Sequence, residues 1–272
     1  MQFRAETFSG FFRRAIFAMS ARGEPLEAIE TLASAPIDEA RIAGLVESCR
    51  PSENPGRALR RARRLLLLAL MERDIRGDAS LEEVCAAMTS FATQATSVAL
   101  RAAASDLVEQ FGVPLDSEGE PQDLLAIAMG KGGAGELNVS SDLDLVFLHR
   151  DRGETSGIQA DGSPARRGTL PSAEFFHRLA RRAIGLLSEV DGDGFVFRID
   201  TRLRPNGDSG PLVGSLAMLE EYFYAQGREW ERFAWLKGRV LADSGMAGAR
   251  ARTEDEAQLA QIVEPFVFRR YM

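Results

Sequence analysis

A glycine-rich run followed by a short strand pattern is the feature that most constrains the fold of this chain. The run occupies residues 130–135 (GKGGAG), and the apolar segment LDLVFLH follows at residues 143–149. Alternate residues of a strand point to opposite faces, so Asp142 and Asp144 share one face while the leucines beside them point into the core. The pattern predicts a strand that begins with two carboxylates on the same side.

A further strand is predicted over residues 195–203, directly after the turn-forming residues 191–194 (DGDG). The same alternation places Arg198, Asp200 and Arg202 on one face of this strand, with apolar side chains on the other. If the two strands are neighbours in a sheet, Asp200 joins the first two carboxylates on a single patch.

Three neighbouring carboxylates are costly unless a cation compensates their charge. Oxygen ligands of this kind suit Mg²⁺, which keeps waters and substrate phosphates in its remaining positions. Two such ions ~4 Å apart would clamp the attacking and leaving oxygens of an in-line phosphoryl displacement. We therefore predict that Asp142, Asp144 and Asp200 are Mg²⁺ ligands and the catalytic residues of a phosphoryl-transfer site.

Glycines and basic residues near these carboxylates supply candidate phosphate contacts. Gly130 and Gly133 would let backbone amides approach a phosphate closely, and Lys131 adds a positive charge. The run is not a Walker A motif, because no Gly-Lys-Ser/Thr follows it. Arg202 and Arg204, in the segment DTRLRPNG, are expected to neutralise further phosphate oxygens.

The chain divides into three regions by its patterns. Residues 1–115 indicate an N-terminal helical region, residues 116–214 the catalytic core, and residues 215–272 a C-terminal helical segment. In the core, residues 150–171 are polar and glycine-rich, which predicts an exposed and mobile loop, and residues 173–189 predict an amphipathic helix. The expected fold class is α+β, a small mixed sheet flanked by helices.

Two helices are specified in detail within the N-terminal region. Residues 57–74 are rich in Leu and Arg without an internal Gly or Pro, as a helix prefers. Ser80 and Glu83 have the spacing of a capping box, which opens a second amphipathic helix that runs to Phe111 before Gly112.

The composition bounds the class of protein. A net charge of -7 argues against a generic nucleic-acid binder, which usually carries a basic surface. The longest apolar run, residues 65–71, is far shorter than the ~20 residues of a membrane span. Cys49 and Cys85 form neither a disulfide framework nor a metal-binding spacing. We expect a cytoplasmic protein without nucleic-acid or membrane partners.

At the carboxylates and the glycine-rich run the chain resembles the polymerase-β-like nucleotidyltransferase superfamily. The longer words GKGGAGELNVSSDLDLVF, RIDTRLRPNGDSGPLV and GREWERFAWLKGRVL resemble the bifunctional glutamine synthetase adenylyltransferase/adenylyl-removing enzymes. LRRARRLLLLALMERDIRG and the closing PFVFRRYM are also similar, so the resemblance extends over nearly all of the chain from about residue 57. It implies a polymerase-β-like core and that the chain is part of a longer polypeptide.

The resemblance also implies an activity. RPNGDSGPLV and GREWERFAWLKGRVL are similar to the adenylyl-removing half of these enzymes, because Trp230-Glu231-Arg232 stands where the other half usually has Trp-Glu-His. The implied reaction is Mg²⁺-dependent phosphorolysis of the adenylyl-tyrosine of glutamine synthetase. Inorganic phosphate is the acceptor in this reaction, and ADP is released. The PII signalling protein is an implied partner of the full-length enzyme.

Residue roles follow from the resemblance at matching positions. Asp142, Asp144 and Asp200 take the metal-binding positions. The other matching positions are nucleotide and phosphate contacts: Gly130, Lys131, Gly133, Ser141, Arg202 and Arg204. Ser141 is nearly as well explained as a turn former.

The glycine-rich run departs from the family pattern. The family usually has Gly-Lys-Leu-Gly-Gly where this chain has Gly130-Lys131-Gly132-Gly133-Ala134. An alanine restricts positive φ, but the substitutions are small, so we expect a retained loop. In the later word GREWERFAWLKGRVL, the residues Trp230, Glu231, Lys237 and Arg239 are either site residues or a packed aromatic with solvated charges.

Three other functions stay open from the sequence. The first is a forward adenylyltransferase that transfers AMP from ATP to the protein tyrosine and releases pyrophosphate. The second is a non-catalytic module that docks onto glutamine synthetase or PII. The third, a nucleic-acid-tailing enzyme, is disfavoured by the acidity of the chain and the lack of an aromatic and basic stacking surface.

Overall fold

Helices form most of the N-terminal region and also close the chain. The computed structural model describes residues 3–49, 54–159 and 162–268. Within these ranges the helices are α1 (Ala5–Phe8), α2 (Gly10–Ala21), α3 (Glu27–Ala33), α4 (Glu39–Ser48), α5 (Pro55–Arg76), α6 (Leu81–Phe111), α7 (Gly130–Ala134), α8 (Ser172–Ser188), α9 (Leu216–Ala225), α10 (Glu229–Leu236) and α11 (Gly248–Phe268). None of these described helices is both long and apolar enough to cross a bilayer.

The two predicted helices of the N-terminal region are present, α5 with slightly wider bounds than predicted and α6 with its predicted end at Phe111. α5 begins at Pro55, with the Asn54 side chain accepting a hydrogen bond from the Arg57 amide, and it ends at Gly77, which adopts a left-handed φ of 81°. Proline at the first helical position and glycine just after the last are the residues that favour these ends.

Only half of the expected capping box forms at the start of α6. The Ser80 hydroxyl accepts from the Glu83 amide, as predicted. The Glu83 carboxylate does not return to Ser80; it accepts instead from the Ile37 amide at 3.0 Å and from Arg73 at 2.8 Å. Contacts of the Glu83 side chain with Arg73 and Ile37 thus replace the expected hydrogen bond to the Ser80 amide. The spacing of Ser80 and Glu83 does not reveal these contacts.

In the part of the chain that the structure describes, five strands make a small mixed sheet: β1 (Leu124–Ala128), β2 (Leu143–His149), β3 (Ile199–Asp200), β4 (Val213–Ser215) and β5 (Arg239–Asp243). Their order is β3-β2-β1-β5, with β4 also paired to β2. β1 is antiparallel to β2 and β5, whereas β3 and β4 are parallel to β2. The α+β fold class is confirmed.

The predicted third strand is much longer than the observed one. β3 comprises two residues, and after Asp200 the chain leaves the sheet in a series of turns before it returns as β4. β3 pairs with the start of β2 and β4 with its end, so both lie on the same edge of one strand. The excursion between them, residues 201–212, includes Asn206 at a φ of 61°. The tight turns, and not strand pairing, set the path of these residues.

The expectation of an entirely helical segment after residue 215 is wrong. β5 lies between α10 and α11 and pairs with β1, with a register shift between Ala126 and Ile127. Its sequence, RVLAD, is short, and its pairing with a strand more than a hundred residues earlier has no local signal. The sheet therefore includes residues from beyond the predicted boundary of the core.

Residues 150–171 are more tightly held than a mobile loop. The described part of this segment forms backbone hydrogen bonds with residues 109–115, including Ser156 N to Val113 O at 2.8 Å. Thr155 is buried, and its hydroxyl accepts from the Leu170 amide. The loop is therefore fixed by hydrogen bonds against the C-terminal end of α6 and the residues that follow it.

Both faces of β2 are covered. Leu143, Leu145 and Phe147 belong to the larger apolar cluster, which includes residues of α5, α6 and α8. Val146 and Leu148 point the other way into a second cluster formed mainly by α9, α10 and α11. A strand buried on both faces has a nearly continuous apolar sequence. In LDLVFLH this apolar run is LVFL, which follows the aspartate.

Candidate active site

The three predicted carboxylates meet at the start of β2. β2 and β3 are parallel neighbours, with Asp144 directly paired to Asp200 and Leu143 to Ile199. Asp142 immediately precedes β2 on the same face as Asp144. Burial, together with the negative charges of Asp200 and Asp142, raises the pKa of Asp144 above its ordinary value. The carboxylates are close enough to repel one another.

Arginines compensate two of the three carboxylates. Arg198 donates from Nε to Asp142 Oδ1 at 2.5 Å, and Arg202 donates from Nε to both oxygens of Asp200 at 3.0 and 2.9 Å. The hydrogen bonds from Arg202 lower the pKa of Asp200. The Asp144 side chain has no hydrogen-bond or ion-pair partner among the residues the structure describes. The unpaired carboxylate is therefore the central one.

The donor set matches the preference of a hard divalent cation, although the side chains are turned toward arginines. Within the described ranges, no three Asp, Glu, His or Cys side chains are arranged to share a metal ion. The observation that favours a cation is the repulsion on Asp144, which a divalent ion would relieve. Oxygen-only ligands on an open, half-exposed face are those that Mg²⁺ accepts.

The glycine-rich run forms a short helix, α7, and not an open loop. Gly130 opens α7 with a φ of 53°, and a Cβ at this position would lie 3.0 Å from Asp144 Oδ2. The left-handed φ therefore favours a glycine where the run approaches the central carboxylate. Gly135 ends the helix with a left-handed φ of 77°.

Gly133 has a packing role that the sequence did not show. A Cβ on Gly133 would lie 1.8 Å from the backbone oxygen of Lys237 and 2.6 Å from that of Ala128. No side chain fits there, so this glycine is needed for the contact of α7 with the segment before β5. Its contact with a phosphate stays a prediction.

The alanine departure does not strain the run. Ala134 is the last residue of α7, is exposed, and is not among the described non-glycine residues with positive φ. The restriction that an alanine places on φ is therefore not met at this position.

Lys131 and Ser141 differ in what holds them. Lys131 is exposed on α7, directly after Gly130. The Ser141 hydroxyl accepts from the Asn138 amide and donates to Asn138 Oδ1, both at 3.1 Å. These contacts make Ser141 part of the turn that leads into β2, which agrees with the alternative interpretation of this residue as a turn former.

Arg202 and Arg204 have different environments although they are two residues apart. The Arg202 side chain is 73% exposed beside Asp200, where its free face is open to a ligand. The Arg204 side chain is 11% exposed and donates to the Thr201 backbone oxygen at 2.8 Å and to the Thr201 hydroxyl at 2.9 Å. Arg204 thus holds the excursion in shape, and its predicted contact with phosphate has no support in this geometry.

The word GREWERFAWLKGRVL contributes one contact to the site. Arg239 donates from Nε and Nη2 to the backbone oxygens of Gly133 and Gly132, at 3.2 and 3.3 Å, and so fixes the end of α7. Glu231 is buried and accepts from the Tyr222 hydroxyl at 2.7 Å, whereas Trp230 is half exposed. Trp230 is therefore only half packed and Glu231 is not solvated, whereas Lys237 is an exposed charge that pairs with Glu136 at 3.1 Å. Arg239 was one of the candidate site residues of this word, but its contact with α7 was not predicted because it depends on the pairing of β5.

The chain is similar to known proteins over most of its length. A family model described as glutamate-ammonia ligase adenylyltransferase matches residues 16–254. The protein named bifunctional glutamine synthetase adenylyltransferase/adenylyl-removing enzyme from Burkholderia pseudomallei is 47% identical over 262 residues, which are 94% of this chain and 27% of that protein. The protein of the same name from Ralstonia nicotianae is 46% identical over 261 residues, 93% of this chain and 26% of its own length. This chain spans about a quarter of the length of these relatives.

Proposed function

Since the chain belongs to the glutamate-ammonia ligase adenylyltransferase family, we propose that it is a nucleotidyltransferase domain that removes AMP from the adenylyl-tyrosine of glutamine synthetase. The observation that carries this proposal is the pairing of Asp144 with Asp200 on parallel strands beside Asp142. This face of the sheet is acidic, open and bordered by exposed cations, as a phosphoryl-transfer site requires.

In the proposed reaction an oxygen of inorganic phosphate attacks the phosphorus of the adenylyl group. The bond between phosphorus and the tyrosine oxygen breaks, and a bond to the phosphate oxygen forms, which yields ADP. The proton that the attacking hydrogen phosphate gives up ends on the tyrosine oxygen, which leaves as a free hydroxyl. The partners are therefore glutamine synthetase, inorganic phosphate and an adenine nucleotide, in the cytoplasm.

Mg²⁺ is the proposed cofactor, with Asp142, Asp144 and Asp200 as its ligands. When bound, it would neutralise charge on the transferred phosphoryl group. Arg198 and Arg202 now pair with Asp142 and Asp200, so each is placed to turn from a carboxylate to a phosphate oxygen. Gly130 leaves room beside Asp144 for the close approach of a substrate.

The direction of the reaction rests on sequence words and not on the carboxylates. RPNGDSGPLV and GREWERFAWLKGRVL resemble the adenylyl-removing half of the family, and the relatives are named for both activities. Forward adenylyl transfer from ATP is therefore the second candidate. Control by the PII protein would belong to the full-length polypeptide.

A product assay distinguishes these functions. The chain is incubated with Mg²⁺ and adenylylated glutamine synthetase, with and without inorganic phosphate, and the nucleotides are separated by chromatography. Phosphate-dependent ADP supports removal. Pyrophosphate formed from ATP and unmodified glutamine synthetase supports the forward reaction, and neither product with a folded, Mg²⁺-binding chain contradicts both.

A further inference from the structure

A groove lined by arginines lies next to the carboxylate site. It has a volume of about 470 Å³ and is formed by α2, α5, the residues that precede β2 and the turn before β3. Ser141 and Arg198 are at its edge, and Arg198 is the residue that holds Asp142. The arginine groove is defined by Arg14, Arg22, Arg60, Arg63, Arg64 and Arg198.

These arginines outnumber their counter-charges. The ion pairs are Arg22 with Glu24 and Asp193, Arg64 with the same two carboxylates, Arg60 with Asp191, and Arg198 with Asp142. In the described part of the chain, Arg14 and Arg63 have no carboxylate partner. Six guanidinium groups therefore face four carboxylates, a surplus of two positive charges.

The environment of Arg63 is the strongest indication that the groove binds an anion. It is 8% exposed, and its Nε is buried without an acceptor. Among the described residues, its Nη2 donates only to the backbone oxygen of Val139, at 2.8 Å. Burial and the nearby charge of Arg198 lower the pKa of Arg63 to about 10, so it stays protonated at neutral pH. A buried cation without a paired anion is costly, and a ligand that supplies the anion recovers that cost.

Apolar side chains also line the arginine groove around Arg63. The Arg63 guanidinium lies 5.4 Å from the ring centre of Phe197 and 5.9 Å from that of Phe195. Phe11 and Leu67 complete the apolar walls. Apolar walls lower the local dielectric constant and so strengthen each charged hydrogen bond that a bound anion would accept.

We propose that the arginine groove binds a phosphate group, with Arg63 and Arg198 as its donors. Phosphate carries a charge of about -1.5 to -2 at neutral pH, which matches the surplus of two, and its oxygens suit the fork of a guanidinium group. This inference rests on the proposed function for the source of the phosphate, which is either the free acceptor or the phosphate group of a nucleotide. It replaces Arg204, which is held inside its own turn, as the contact for that group.

Thermal unfolding without metal or protein substrate tests the binding. Inorganic phosphate should raise the Tm of the chain, with the concentration dependence of one saturable site, whereas chloride at matched ionic strength should not. Arg63→Met should weaken phosphate binding by roughly 10- to 100-fold, the value of hydrogen bonds to a charged group. An equal rise with chloride, or an undiminished phosphate effect in Arg63→Met, would overturn the proposal.

The sign of the effect of Arg63→Met on the Tm separates binding from structure. In phosphate-free buffer this variant should keep or raise the Tm, because the substitution removes an unpaired buried charge and retains apolar contact with the two phenylalanines. A lowered Tm with retained phosphate binding would mean that Arg63 is only structural.

Arg73→Met is the matched control. Arg73 is also a buried arginine of α5, but it is paired with Glu83 and lies outside the groove. This variant should lose Tm and keep its response to phosphate. If it does not fold, Arg101→Met on α6, which is 61% exposed and also outside the groove, replaces it and should change neither.

Two further measurements separate this inference from the proposed function. If the chain releases ADP and Arg63→Met leaves the KM for phosphate and the binding of ADP unchanged, the groove assignment is wrong while the function stands. If no ADP is formed but Arg63-dependent stabilisation by phosphate persists, the groove stands and the function is wrong. An Arg63-dependent effect of ADP that exceeds that of inorganic phosphate assigns the groove to the phosphate of the nucleotide.

Discussion

The two ends of β2 hold charged residues in opposite ways. Directly after the carboxyl end of β2, Arg150 donates to Asp255 at 2.6 Å and to Asp116 at 3.2 Å, and Asp255 is almost fully buried. His149 is also buried, stacked on Phe176, with Nδ1 bonded to the Asp151 backbone oxygen. At its start, Asp142 and Asp200 pair with arginines that are themselves mostly exposed.

This difference separates charges that stabilise the fold from charges that are available for a reaction. A buried pair that loses one partner leaves an uncompensated charge in a medium of low dielectric constant, so its contacts are fixed. Exposed pairs exchange at little cost, because water screens both partners. The start of β2 also retains Asp144, which has no hydrogen-bond or ion-pair partner among the described residues and is repelled by Asp200 and Asp142. One strand thus carries a structural cluster and a reactive cluster.

The largest expected effect is on activity, from Asp144→Asn. This change should lower the rate of ADP release by about 10³-fold or more, since a lost metal ligand removes several kcal/mol of transition-state stabilisation. Asp208→Asn is the matched control, because Asp208 is an exposed carboxylate of the nearby excursion that does not touch the three aspartates. It should retain nearly full activity. Equal loss in both variants would mean that the site responds to general charge and not to a specific ligand.

The opposite end of β2 should respond in stability. Arg150→Met leaves Asp255 buried and unpaired, so we expect a loss of ~3–5 kcal/mol of unfolding free energy and a fall in Tm of about 10 °C. Activity per folded molecule should not change. Adding Asp255→Asn to the same variant should recover part of the Tm because it removes the buried charge. A stable Arg150→Met with impaired ADP release would abolish the distinction between the two ends.

Features of the fold that depend on neighbouring residues were mostly predicted from the sequence, whereas most features that depend on distant residues were not. Strand alternation correctly placed Leu143 and Leu145 in the core and brought Asp144 beside Asp200. The pairing of β5 with β1 was missed because nothing near Arg239 encodes a contact with residues 125–128. The short β3 was overestimated because alternation continues in the letters beyond Asp200 while the chain already turns.

Side-chain partners were less predictable than backbone faces. Arg202 and Arg204 lie two residues apart in the segment DTRLRPNG, and both were predicted to contact phosphate. The turn at Gly210 explains why they differ, since a Cβ there would lie 2.1 Å from the Pro205 oxygen and the tight loop encloses only Arg204. Sequence alternation has no information on which arginine a loop will enclose.

Within the reactive end, Arg202 and Arg204 should separate activity from stability. Arg204→Met removes hydrogen bonds from a charged group worth ~1.5–3 kcal/mol, so the Tm should fall by about 5 °C. Arg202→Met removes an exposed pair and should leave the Tm unchanged, while kcat/KM falls roughly tenfold through the lost phosphate contact. Measured Tm and kcat/KM that change together in both variants would place the two arginines in one role.

The smallest expected effect is the pH dependence of stability at Asp144. Because burial and two neighbouring carboxylates raise the pKa of Asp144, its ionisation costs more in the folded than in the unfolded chain. Without Mg²⁺, the wild type should therefore lose stability relative to Asp144→Asn as the pH rises above the unfolded pKa of ~3.9. Below that pH the two proteins should unfold alike, and at pH 7 the variant should be higher by about 2 °C, since the half-exposed site is screened. Mg²⁺ should stabilise only the wild type and so make its Tm higher than that of Asp144→Asn. If the variant keeps the higher Tm in Mg²⁺, Asp144 is not a metal ligand and its repulsion is only a structural cost.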